Sequence, residues 1–385
     1  MVFSKFTRTA AATLMAAGLL TSGAHAQDDP IKVGVIFPLS GGAGPQGEHV
    51  NWAIEAMAAM INEDGGVMGR QLELLSRDDE STPAVGVSRA NELISEGVDV
   101  IIEGWNSPVT LAMQPVIARA GIMDITAISK ADPILSGEGN PLAVRLNSSN
   151  AQDGAVVAQF IADEGAKRIE FLTENDAYGT GAQASIEGAL EEMGYEYEKV
   201  AEELFPFEQA DFRVQLSNVK SADPDITIAI NANEGLGMPA IIRQAKRSRL
   251  PGQLVAAVGT IAPSVIDIAG DAAEGLVGAD IYFPTVEPFA SNEANQRFIE
   301  TTEEMHDYTP DKFMALGATA LQVWAMAANE VESLKKEAVA NRIRGGSFED
   351  TILGDITFEE NGQLKSNHYI FDVVDQKIVV RTDSN

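Results

Sequence analysis

Three short stretches carry residue types whose spacing could do chemistry. Gly42-Ala43-Gly44-Pro45-Gln46-Gly47 follows an apolar run and precedes a helical pattern, which satisfies GxGxxG, a turn that cradles a dinucleotide pyrophosphate. Against that reading, Pro45 lies inside the turn. The next strand-end acids, Asp78 and Asp79, begin 31 residues after Gly47, where the fingerprint wants an acid at about 20. The glycines read better as permission for a tight turn beside a ligand cleft, and an exported NAD-linked oxidoreductase is the enzyme-class alternative. In the second stretch, Trp105-Asn106-Ser107-Pro108 opens a helix. Free N–H groups at a helix start, beside a hydroxyl or amide side chain, make an anion site. Taken alone, these residues favour the plainer role, with Asn106 or Ser107 capping the helix. In the third, Ser129-Lys130 leaves a strand at its carboxyl end, where open α/β sheets bind ligands. Lys130 pairs there either with an acidic group of a ligand or with Asp132 at the surface.

Other catalytic signatures are missing. The chain contains no HExxH, GxSxG or GxxxxGK[ST]. Without cysteine there is no disulfide, thiolate nucleophile or thiolate zinc site, and no cysteine to carry a lipid. His49, His306 and His368 are scattered without ligand-like spacing, and His49 reads as a capping or surface residue. Asp78-Asp79-Glu80 reads as solvated strand-end acid. No metal or cofactor is expected. Across 385 residues, 57 Asp+Glu face 27 Lys+Arg, a formal charge of −30. That balance argues against nucleic acid and against anionic lipid surfaces, while 45% hydrophobic content is that of a folded protein.

Residues 1–26 read as an export signal. Lys5 and Arg8 form a basic start, Thr9 to Leu20 is uncharged and largely apolar, and Ala24-His25-Ala26 fits small-x-small cleavage before Gln27. The run is too short to span a bilayer. Its removal takes two cations and no acid and leaves a charge of −32. An exported chain without a span or lipid anchor points to the periplasm, where a diffusible nicotinamide cofactor is not expected.

The elements that must position these residues alternate strand and helix. Ile31 to Phe37 is a buried parallel-strand run. Val50, Ile54, Met57 and Ile61 recur at helical spacing. Strand starts fall near 31, 71, 98 and 122, and again near 168, 195, 226 and 253. This spacing predicts two lobes of one doubly wound α/β architecture. In the last third, Ile281 to Pro284 reads as a strand, Glu293 to Tyr308 and Phe313 to Glu332 as helices, and Asp355 to Thr357 and His368 to Asp375 as strands.

Four segments, at residues 31–81, 104–135, 173–194 and 268–284, together resemble periplasmic solute-binding proteins of the branched-chain amino-acid (leucine-binding) type. The resemblance implies two Rossmann-like lobes joined by a three-crossing hinge that close on a ligand. Crossings would fall near Arg145-Leu146, Gly278-Ala279 and Thr357-Phe358. The first lobe would then hold residues 27–146 and 279–357, and the second 147–278 and 358–385.

The resemblance also implies the ligand contacts. Ser107, beside Trp105 and Asn106, would meet a ligand carboxylate, and Trp105 is similar to the family's urea- and short-amide-binding branch. The loop Ile128-Ser129-Lys130 would contribute backbone and side chain, with Lys130 where leucine binders have a hydroxyl. Tyr178, Asn233 and Glu234 match contact positions of the second lobe. Gly259-Thr260 falls where leucine binders carry the acid for the ligand's ammonium, and Gln46 falls where they have tyrosine. Glu234 either supplies the missing negative charge or is simply solvated. The implied function is capture of a small polar solute (amino acid, amide or small carboxylate) by a monomer that delivers it to an inner-membrane ABC permease. A receptor module for a signalling partner is the other non-enzymatic alternative.

Overall fold

The computed structural model describes Met1 and residues 29–41, 43–136 and 140–381. The expected export signal, including Lys5, Arg8 and the Ala24-His25-Ala26 cleavage motif, lies outside the described residues, as does Gly42 of the glycine-rich turn.

The first lobe is built on a wholly parallel sheet of five strands: β1 (Ile31–Phe37), β2 (Leu72–Asp78), β3 (Val100–Glu103), β4 (Met123–Thr126) and β5 (Ala143–Arg145). Its order is β2-β1-β3-β4-β5. All of β1 except Lys32 is buried, as a central strand covered by helices on both faces requires. The helices are α1 (Gly44–Glu63), α2 (Pro83–Glu96) and α3 (Ser107–Ala120). The second lobe repeats the plan with α4 (Asn150–Asp163), β6 (Arg168–Glu174), α5 (Gly179–Glu192), β7 (Glu198–Phe205), α6 (Arg213–Ala222), β8 (Ile226–Ile230), α7 (Gly237–Ser248), β9 (Gln253–Ala256), α8 (Pro263–Ala269) and β10 (Val277–Asp280). Its strands run β7-β6-β8-β9-β10. The two lobes therefore share one strand order, and the repeat read from strand starts is present in the sheets.

The chain then returns to the first lobe as α9 (Glu293–His306), α10 (Lys312–Glu330) and α11 (Lys336–Ile343). Helix α10 is buried along most of its length and packs on α1. A small antiparallel sheet, β11 (Ser347–Thr351), β12 (Gly354–Phe358) and β13 (Leu364–Lys365), adds Phe348, Phe358 and Leu364 to the first-lobe core. Each such fully buried large apolar side chain contributes about 1.5–3 kcal/mol. The last strands, β14 (Tyr369–Val374) and β15 (Lys377–Val380), extend the second-lobe sheet on the β10 side.

Two crossings differ from expectation. The first leaves β5 after Arg145. The second was expected at Gly278-Ala279, but β10 pairs with β14 as far as Asp280, besides its pairing with β9 at Val277, so the chain departs at Ile281. Ile281 to Pro284 is accordingly not a strand. The stretch 276–283, apolar except for Asp280, spans both strand and crossing, and periodicity cannot tell which half pairs. The third was expected at Thr357-Phe358. Phe358 and Leu364 are instead buried in the first-lobe core, and the chain crosses between β13 and β14. No helix among the described residues is long and apolar enough to cross a membrane.

Candidate functional site

The carboxyl ends of β3 and β4 form the first-lobe wall of the interlobe cleft. Asn106 takes the N-cap position of α3, yet its side chain makes no capping bond and its Oδ1 is buried without a partner. The plain capping role therefore fails. Ser107 Oγ accepts the N–H groups of Lys130 and Ala131, each at 3.2 Å, which leaves its own hydrogen available to a ligand. Pro108 has no N–H, and Val109 and Thr110 donate to Asn106 O, so the Ser107 N–H is the donor at the helix start. Thr110 and Thr126 each donate to the buried Glu103 at 2.7 Å. Ser129 Oγ lies 2.9 Å from Thr110 Oγ1. With the Thr110 hydrogen engaged, Ser129 donates to Thr110 and offers the cleft acceptor lone pairs. Trp105 tilts against Phe313 at 4.8 Å between centroids.

From the second lobe come Tyr178 at the start of α5, Glu234 after β8, and Thr260 after β9. Together with Trp105, Asn106, Ser107, Ile128, Ser129 and Lys130, they line one cavity. Asn233 does not line it. Its Nδ2 donates to Phe207 O and its Oδ1 accepts from Leu236 N–H, so its amide is engaged in holding the loop. Gln46 does not line it either, although its Nε2 closes on Gly235 of the opposite lobe. Sequence reasoning missed Asn147, Glu174, Asp176 and Phe313, which also line the cavity. An aromatic one residue into a long apolar helix is the signal that marks Phe313.

Glu234 is not solvated. It is 2% exposed, both carboxylate oxygens lack a hydrogen-bond partner, and burial pushes it well above the usual carboxylate range. Within Asp78-Asp79-Glu80, Glu80 is exposed, but its two neighbours depart from the solvated reading. Asp79 is buried, which pushes it up to about 7, and Asp78 accepts from Leu39 N–H and Ser40 Oγ. Asp78 thus pins the glycine-rich turn. A Cβ on Gly47 would lie 1.9 Å from Pro38 O, so this glycine serves the close approach of α1 to the end of β1. His49 is half-buried and stacks near Trp52 and Tyr308.

Lys130 does not pair with Asp132. Its Nζ donates to Asp153 Oδ2 at 2.6 Å and to Val258 O at 2.9 Å, both on the opposite lobe. Asp132 instead accepts from Ala151 N–H and Ser185 Oγ. Lys312, at the start of α10, donates to Gly259 O at 2.6 Å and lies 3.5 Å from Asp280. Two first-lobe ammonium groups thus converge on Val258 and Gly259. Gly259 has φ +76°, and a Cβ there would stand 2.4 Å from Lys312 Nζ. Burial would raise Asp153, but Lys130 and His368 outweigh it and hold the carboxyl at about 2. No group of three or more His, Asp or Glu among the described residues is placed to hold a metal ion.

The family model for periplasmic binding proteins matches residues 30–377. The chain is 26% identical over 360 residues to the Leu/Ile/Val-binding protein homolog 1 of Brucella abortus, covering 92% of each chain. It is also 26% identical over 339 residues to the leucine-, isoleucine-, valine-, threonine-, and alanine-binding protein of Pseudomonas aeruginosa, covering 88% of each. Among solved structures, the leucine binding protein LivK of Thermotoga maritima superposes with a TM-score of 0.80 at 26% identity, covering 91% of this chain and 98% of that one. A solute binding protein of R. palustris in complex with benzoate shares the fold, with a TM-score of 0.82 at 24% identity, covering 91% of this chain and 95% of that one. With the matched model spanning both lobes and their crossings, this chain belongs to the periplasmic binding protein family, a family of solute-binding proteins rather than enzymes.

Proposed function

We propose that the protein is the substrate-binding component of an ABC importer. It works as a monomer in the periplasm after loss of residues 1–26, captures a small polar solute in the interlobe cleft and delivers it to an inner-membrane permease. The observation that carries this reading is Glu234, a buried carboxyl with both oxygens unpartnered, in the same cavity as the Ser107 hydroxyl and the start of α3. A solute with a carboxylate or amide oxygen for Ser107 and an amino or amide N–H for Glu234 satisfies both ends. Amino acids and short amides have that shape, and the relatives' names, which specify small aliphatic amino acids and threonine, support the first. Solute bound to both walls favours closure of the lobes, the form a permease would receive.

The test is mass spectrometry of small molecules released from freshly purified protein, followed by thermal shift with each one found. A solute at 100 times its Kd adds about 2.7 kcal/mol to stability. A co-purified solute that raises Tm supports the reading. Stabilisation by NAD with none by any small solute, or turnover of an added solute, overturns it.

A further inference from the structure

Glu103 closes β3 behind the first-lobe wall and does not itself line the cavity. It is fully buried, with Thr126 donating to its Oε1 and Thr110 to its Oε2, each at 2.7 Å. Burial and Asp124, its neighbour on β4, raise Glu103, and the two hydroxyls oppose them. Asp124 is equally buried, and neither of its oxygens has a partner. A proton shared between the two acids therefore belongs on Asp124, which leaves Glu103 the acceptor for both threonines. A carboxylate has no hydrogen to give, and a threonine hydroxyl has one. With that hydrogen turned to Glu103, Thr110 Oγ1 can only accept from Ser129 Oγ, 2.9 Å away. Ser129 lines the cavity and has only lone pairs left for it. Ser107 is the reverse. It accepts the N–H of Lys130, the residue after Ser129, and keeps its hydrogen free. One wall thus carries a donor hydroxyl and an acceptor hydroxyl, and the second takes its polarity from an acid outside the cavity.

We infer that Glu103 is a positioning residue that sets solute specificity: acting through Thr110, it fixes Ser129 as an acceptor, so the site favours solutes that bring an N–H or O–H to Ser129 over isosteres that bring an oxygen lone pair. A carboxamide meets that demand. A carboxylate in the same place sets oxygen against oxygen and leaves Ser129 unpaired, and a site built around one hydrogen bond rejects the isostere that lacks it. This rests on the reading of the cleft as a solute site and assigns the residue that orients its recognition.

The experiment titrates butyramide and butyrate, an isosteric pair, into the full protein by calorimetry, and then into Glu103→Met and Thr110→Val. In the parent, butyramide should bind at least tenfold more tightly than butyrate. Either substitution frees the Ser129 hydrogen for the cavity, and each should cut that ratio at least fivefold, Thr110→Val with the Glu103 carboxyl still in place. In a Ser129→Ala chain, neither substitution should move the ratio further. A ratio that Glu103→Met and Thr110→Val leave unmoved overturns the inference. So does a ratio that shifts equally with and without the Ser129 hydroxyl, which would assign the effect to the field of the buried charge. Absence of binding by both probes overturns it as well, whereas the solute-binding reading itself falls only with the co-purified-solute test. If the ligand-free Tm shows Glu103→Met to be misfolded, Thr110→Val alone decides, compared with and without Ser129→Ala.

Discussion

Lys130 Nζ and Asp153 Oδ2 stand 2.6 Å apart in a buried ion pair, although the lysine follows a first-lobe strand and the aspartate sits on a second-lobe helix. The pair closes the lobes on one another rather than reading the solute. Removing one member of a buried pair leaves an uncompensated charge and costs about 3–5 kcal/mol. Lys130→Met should therefore weaken neutral and anionic solutes alike, by two orders of magnitude or more, and Asp153→Leu in the same chain should restore much of the loss. Calorimetry across the double-mutant cycle decides. Weakening confined to anionic solutes would return Lys130 to direct ligand contact.

The same pair sets an acid limit. Asp153 is held at about 2, below its usual value of 3.8, so its stabilisation is complete above about pH 4 and is lost as pH falls toward 2. Unfolding midpoints in urea from pH 5 to pH 2 should fall over this window more steeply in the parent than in the Lys130→Met, Asp153→Leu double variant.

Ser107→Ala removes a hydroxyl that accepts two backbone N–H groups and has its hydrogen free for the cleft. The loss of one hydrogen bond to a charged group is about 1.5–3 kcal/mol. Carboxylate solutes should bind at least tenfold more weakly, with a small fall in ligand-free Tm from the Lys130 and Ala131 N–H groups. Unchanged affinity by calorimetry removes Ser107 from the site.

Glu170 on β6 is fully buried and in register with Thr227, and burial pushes it up to about 8. For an acid whose folded value is raised, stability is greatest below its unfolded value and falls as pH climbs from about 4.5 to about 8. The ionised form costs on the order of 5 kcal/mol. Glu170→Gln should leave Tm unchanged at pH 5 and raise it by several degrees at pH 8.5. A uniform shift at both pH values would assign the effect to packing.

Gly259→Ala places a Cβ against Lys312 Nζ and forces a non-glycine residue to φ +76°. Strain of this type costs about 1–3 kcal/mol. The change should lower urea stability by that amount and weaken every solute, because both lysine–carbonyl contacts lie at this turn. Full affinity in Gly259→Ala would show that the convergence of the two ammonium groups is dispensable.

The alternation of strands and helices was legible because parallel strands buried on both faces read as unbroken apolar runs, and each of the eight expected strand starts lies within three residues of an observed one. Helix α4 escaped notice although Ser149 and Gln152 form a capping box visible in the sequence. The three-residue β5 is too short to carry a periodicity. Strand-end topology pointed to Trp105, Asn106, Ser107, Ile128, Ser129 and Lys130, and the family resemblance alone pointed to Tyr178, Glu234 and Thr260; all nine line one cavity. The partners of Lys130 and Lys312 were not. Asp153 and Asp280 meet them only through the angle at which one lobe faces the other, and no local pattern encodes that angle. Asp79 looked like one more surface acid in a chain of charge −30, and Glu234 stood open between a ligand contact and a solvated acid; only their surroundings decide for burial.

The third crossing bears on how the protein moves. His368, which lies on it, touches Asp153 Oδ1 at 2.8 Å, while Gln152, the neighbouring residue on α4, donates to Leu364 O on the strand that leads into the crossing. The pivot and the interlobe ion pair are therefore bolted to the same turn of α4. Torque applied at the crossing reaches the closing contact without passing through the solute. Substitutions on residues 364–368, none of which lines the cavity, can retune the affinity for every solute by one common factor and leave the ranking among solutes untouched.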